Sequence, residues 1–136
     1  MGRVLVLVGV FITLAASAVS AQVPSFDTTR LYSETEFTAA IKPYADRIAR
    51  NANDAEAHHW LGVAYLHVVK LSKFGLAPYA RGFGGRAIAE LERSVQLKAE
   101  PAAMLALLEA YVVVGASINN GLHDRLMTAS PSLPLK

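Results

Sequence analysis

Cysteine is absent from the 136 residues, so no disulfide framework, thiol nucleophile, cysteine zinc site or lipid-modified cysteine can be built, and the fold rests on packing alone. Charge is scarce. Charged residues make up 18 % of the chain against 53 % hydrophobic ones, a balance that excludes disorder and points to helices buried on more than one side. A formal net charge of +2, with Arg3 in the leader described below, gives no reason to expect a nucleic-acid partner. Beyond the first 21 residues no stretch is long and uncharged enough to span a bilayer. The length leaves room for one small domain.

What is present begins with a leader. Residues 1–21 carry one positive residue, Arg3, an apolar run from Val4 to Ala16, and small residues at Ala18, Ser20 and Ala21. That is the pattern of a secretory signal peptide cut after Ala21, and the apolar run is too short for a membrane anchor. The expected destination is the periplasm or the medium. Residues 22–32 contain Pro24, Ser25, Thr28 and Thr29 without a sustained period, and they read as a linker or a loosely docked arm.

Four helices are expected in an all-α domain over residues 33–121. Ser33 with Glu36 forms a capping-box pattern that opens the first, in which Phe37, Ala40, Ile41, Tyr44 and Ile48 recur at helical spacing. Pro43 lies inside it and predicts a kink or a split. Asn53 or Asp54 caps the second, which runs to about Leu71 with Ala57, Trp60, Leu61, Ala64, Tyr65 and Val68 inward. Residues 72–85 carry Gly75, Pro78, Gly82, Gly84 and Gly85 and read as an insertion loop. The third helix spans Arg86 to about Lys98, with Ile88, Leu91 and Val95 inward and Arg86, Glu90 and Arg93 in solvated pairs at turn spacing. Pro101 opens the fourth, nearly apolar all round, and Asn119, Asn120 and Gly121 close it. Residues 122–136 form a tail.

A degraded period links these helices. Leu61, Gly62 and Tyr65 give L-G-x-x-Y, and Leu107 and Tyr111 repeat the leucine and tyrosine spacing, with Gly115 ending that half. Ala87, Leu91 and Ser94 match the small, large, small pattern of a second repeat helix, and Ala40, Tyr44 and Arg47 share those offsets. The string from Ala55 through Glu56, Ala57, His58, His59, Trp60 and Leu61 to Gly62 resembles the tetratricopeptide-repeat family, in its exported bacterial form, over roughly residues 33–115. The sequence departs from the family by about 13 inserted residues between the helices of the middle repeat, and by Leu108 where glycine is usual.

The resemblance implies a short array of antiparallel helix hairpins whose contacts are Ala40, Tyr44, Trp60, Leu61, Gly62, Tyr65, Ala87, Leu91, Leu107 and Tyr111. It also implies a concave face for a peptide or protein partner, comprising Glu56, His59, Val63, Leu66, His67 and Lys70 from one helix and Leu105, Glu109, Val112 and Val113 from another. The competing reading buries the apolar members of that face under the loop or in a homodimer. In the insertion, Phe74, Tyr79 and Phe83 are expected to fold back over the core while the cations stay wet; an anion site or contact with a membrane surface is the lesser reading. Neighbouring histidines on one helix lie about 100° apart and His59 is two turns from His67, so no metal and no cofactor is expected. Nothing resembles a nucleophile elbow or a zinc helix motif, and no enzyme is expected. The functions that remain are partner binding in the cell envelope or medium, or small-ligand or lipid binding under the glycine-aromatic loop.

Overall fold

A computed structural model describes residues 22–115. The leader, the proposed closing residues Asn119 to Gly121 and the tail lie outside them. Within the described residues the protein is all-α, four packed helices without strands. Helix α1 spans Glu34–Arg50, α2 Ala55–Lys73, α3 Gly84–Leu97 and α4 Pro101–Val114, and a single 3-10 turn at Pro78–Ala80 interrupts the α2–α3 connection. No helix among the described residues is long and apolar enough to cross a membrane.

The caps explain where the helices begin and end. The Ser33 hydroxyl accepts from the Glu36 amide while the Glu36 carboxylate accepts from the Ser33 amide at 2.8 Å, which closes the capping box. Asp54 caps α2 by accepting from the Ala57 amide at 3.0 Å, and its second oxygen accepts from Arg47 Nε at 2.8 Å. That ion pair fastens the end of α1 to the start of α2, and with the Ala57 bond it holds the Asp54 carboxyl below its ordinary pKa against the opposing push of burial. Gly115 ends α4 in the left-handed region, φ 74°, its amide donating to the Tyr111 carbonyl. Within the described residues the fourth helix ends at Val114.

Pro43 does not divide α1, which is one helix from Glu34 to Arg50. Pro43 and Ala39, whose carbonyl loses its helical donor, are both exposed, so the lost bond leaves no buried acceptor unpaired.

Two apolar clusters hold the helices together. The first joins Phe37 and Tyr44 of α1 to Leu61, Ala64 and Val68 of α2 and to Ala77 and Ala80 of the insertion. The second joins Leu66 of α2 to Ala87, Leu91 and Val95 of α3 and to Ala103, Met104, Leu107, Ala110 and Tyr111 of α4. Gly62 marks the closest approach of α2 and α3: an added Cβ would stand 2.5 Å from Leu91 Cγ. Of the expected contact residues, Tyr44, Leu61, Gly62, Ala87, Leu91, Leu107 and Tyr111 are buried, and Ala40, Trp60 and Tyr65 are half-buried against the same clusters.

Longer-range contacts bear on three sequence expectations. Of the two readings of residues 22–32, a linker or a loosely docked arm, the burial of Val23, Phe26 and Tyr32 in the first cluster goes with a docked arm. The insertion folds back through Tyr79 and Phe83, yet Phe74 is 79 % exposed. The third helix does not spend its charges on solvated pairs with itself. Glu90 instead approaches His58 Nδ1 at 2.5 Å, Arg93 donates to Asn53 at 2.8 Å, and the Arg86 guanidinium lies 5.2 Å from the Phe83 ring centre. His58 and Asn53 sit on α2 or just before it, within reach through the close α2–α3 crossing, whereas Phe83 immediately precedes α3.

Candidate interaction face

The first apolar cluster takes Leu61, Ala64 and Val68 of α2 and the second takes Leu66, and a further strip of the helix runs between these two sides. Helical spacing puts Glu56, His59, Val63, His67 and Lys70 along it. Lys70 Nζ meets Glu109 Oε1 at 2.7 Å, so α4 borders the same strip. Sequence-distant helices α2 and α4 thus stand side by side with α3 behind them.

The ten candidate residues divide into three groups. Glu56, His59 and Val63 occupy the open end, where Glu56 is exposed and the other two half-buried. There Ala55, Glu56, His59, Trp60, Ser94, Lys98, Glu100 and Ala102 surround a cavity of about 380 Å³. In the middle, Leu66 is 3 % exposed inside the second cluster, and His67 is buried because its Nε2 lies 2.8 Å from the Arg30 carbonyl oxygen. The Phe26 and Tyr32 rings lie 5.9 and 6.0 Å from the His67 ring. Neither residue offers an open surface, since the arm of residues 22–32 covers this part of the strip. At the far end Lys70 and Glu109 satisfy one another and Val113 is half-buried. Leu105 and Val112, 57 % and 80 % exposed, stand on the outer edge of α4 opposite its buried side rather than toward α2.

His59 is the most informative of these side chains. Its ring stacks edge-on to Trp60 at 4.8 Å, and its Nδ1 is buried without a hydrogen-bond partner. Burial pushes its pKa below 6.5, against the weaker opposite pull of Glu100 and Glu56. A depressed histidine pKa means that the unfolded chain takes up the proton first. Its contribution to stability is whole above pH 6.5 and is lost as the pH falls below that value. His59→Gln should therefore flatten the stability profile between pH 6.5 and 5, measured by urea unfolding of both proteins at each pH. An unchanged difference between them across that range would refute the assignment.

The other histidine of the pair has a structural role. His58 directs Nδ1 at the Glu90 carboxylate and Nε2 at the Ala52 carbonyl, 3.0 Å away, so both ring nitrogens face oxygen acceptors. Its partner lies 32 residues along the chain, a pairing that no local pattern reveals. Between α4 and α3 Tyr111 donates to Glu92, and burial with that carboxylate raises the phenol's pKa. Among the described residues no group of three histidine, aspartate or glutamate side chains converges to hold a metal ion.

The class this geometry defines is a small all-α domain of four sequentially packed helices. No family model, curated protein or solved structure matches the chain.

Proposed function

We propose that this chain is an exported, tetratricopeptide-repeat-like scaffold that binds a peptide or protein partner of the envelope or medium along α2 and the adjoining edge of α4. The observation that carries the reading is the open end of the strip. Glu56, His59 and Trp60 border a 380 Å³ cavity, and the His59 Nδ1 there has no partner of its own. A half-exposed aromatic beside an imidazole nitrogen without a partner is closer to the composition of a binding hot spot than to that of a solvated surface. The reading assigns no catalytic residue and no cofactor.

Charge reversal at Lys70 combined with His59→Glu is expected to abolish capture of the partner from envelope extract while helicity is retained. Gln96→Arg, at an exposed position of α3, serves as the control and should capture normally. Unchanged capture by the double variant would remove the groove.

A second reading, small-ligand or lipid binding beneath the insertion, has one observation in its favour. Val69, Ser72, Lys73, Arg81, Gly84, Val113 and Val114 line a cavity of about 410 Å³, which joins cationic and apolar walls as an anionic amphiphile requires. Native mass spectrometry of protein from its own host decides this reading: a retained small molecule supports it, and a bare chain mass removes it.

A further inference from the structure

The arm of residues 22–32 is held in the way a helical groove holds an extended peptide. Val23 and Phe26 are both 6 % exposed and sit three residues apart, with exposed Pro24 and Ser25 between them. Side chains from three separate elements grip the arm's main chain rather than its sequence. Tyr44 of α1 donates to the Pro24 carbonyl at 2.8 Å, His67 Nε2 of α2 meets the Arg30 carbonyl at 2.8 Å, and Tyr79 of the insertion donates to the Tyr32 carbonyl at 2.8 Å. Between these grips the Phe26 ring lies 6.3 Å from Phe37 and 5.9 Å from His67. The arm leaves this slot through an exposed turn at Thr28, Thr29 and Arg30, closed by the Asp27 carboxylate accepting from the Thr29 amide at 2.8 Å.

We propose that this slot, bounded by Tyr44, Phe37, His67 and Tyr79, is a peptide-binding site filled in cis by the chain's own arm, and that the partner supplies an extended segment of the same chemistry. That segment carries a bulky aliphatic residue, two small or polar residues and then an aromatic one, and it presents the carbonyl that follows the aliphatic residue to the Tyr44 hydroxyl, while the His67 and Tyr79 bonds to Arg30 and Tyr32 stay with the part of the arm joined to α1. Main-chain recognition with two apolar sockets does not depend on whether the segment is attached to α1. Attachment does supply a millimolar effective concentration, so the arm outcompetes a free segment until it is drawn out. The arm covers His67 and leaves Glu56, His59 and Val63 open, so a partner can dock at the open end before exchanging with the arm. This ordering rests on the function proposed above, whereas the occupancy of the slot is testable without any partner.

The test severs the arm. A protease recognition sequence inserted between Thr28 and Thr29, in the exposed turn, lets the purified full chain be cut after folding. A fluorescent peptide with the sequence of residues 22–28 is the probe. The cut chain should either retain the severed fragment through gel filtration or take up the probe saturably; the uncut chain should bind it at least about 100-fold less well. A probe with serine in place of Val23 and Phe26 should not bind. Tyr44→Phe, which keeps the ring and removes the donor, should weaken uptake about 5-fold. A cut chain that loses helicity should regain it when the probe is added. A cut chain that has shed its fragment and takes no probe, one whose helicity the probe does not restore, or equal binding of the serine probe would each overturn the proposal. Failure of partner capture by the groove variants leaves all of these outcomes unchanged, so the two ideas fail separately.

Discussion

Gly62→Ala is expected to lower the stability of the domain by about 1–3 kcal/mol, although alanine is the better helix former by about 1 kcal/mol. The reason lies across the helix crossing. The new methyl group would stand 2.5 Å from Leu91 Cγ, 2.8 Å from Leu91 Cδ2 and 3.1 Å from the Leu91 amide nitrogen. Leu91 is fully buried, and one of the three atoms is backbone, so a rotamer change alone does not clear the space. The helices must separate, and the second apolar cluster loosens with them. Gly85 provides the contrast within α3: it is exposed, with nothing within 4 Å of an added Cβ. Gly85→Ala should stabilise the protein by about 0.5–1 kcal/mol through propensity and a less flexible unfolded chain. Thermal unfolding checks both, since 1 kcal/mol moves the midpoint by about 4–8 °C in a domain of this size. If both substitutions move the midpoint upward, α2 and α3 do not cross at Gly62.

That Gly62 lies at a helix contact is legible in the sequence, through the L-G-x-x-Y string from Leu61 to Tyr65 and the repeat it resembles; that Leu91 is the partner is not. The starts of α1 and α2 are legible too, where Ser33, Glu36 and Asp54 state their bonds in local spacing. What the sequence conceals is set by separation along the chain. Tyr44 and Pro24 are 20 residues apart, His58 and Glu90 are 32, and His67 and Arg30 are 37. Pro24, Ser25 and Thr28 have linker composition, and no period betrays Val23 and Phe26 as anchors. His67 accordingly reads as an open groove residue although a carbonyl 37 residues away covers it. The α2 stripe is a matter of local spacing and is readable in the sequence, but a local pattern cannot register an occupant that arrives from elsewhere in the chain. Leu105 and Val112 differ for another reason. A helix that is apolar all round has no sequence signal to distinguish its groove edge from its outer edge.

Phe37→Ala should be the most damaging single change in the N-terminal half, costing about 3–5 kcal/mol. Phe37 is 2 % exposed and its ring touches three other parts of the chain at once. Its ring lies 6.3 Å from Phe26 of the arm, 5.7 Å from Tyr65 of α2, 6.1 Å from Tyr79 and 6.1 Å from Phe83 of the insertion. Truncation leaves a cavity that rigid helices cannot close, and it removes a wall of the slot in which Phe26 sits. Two readouts should therefore move together. The thermal midpoint falls, and limited proteolysis within residues 22–32 accelerates at temperatures where the helices still give full circular dichroism. Phe74, 79 % exposed, is the matched control: its replacement by alanine should change stability by no more than about 0.5 kcal/mol. A Phe37→Ala protein that melts at a lower temperature but protects its arm as well as the parent would show that the arm is held without the aromatic cluster, by the Tyr44, His67 and Tyr79 bonds alone.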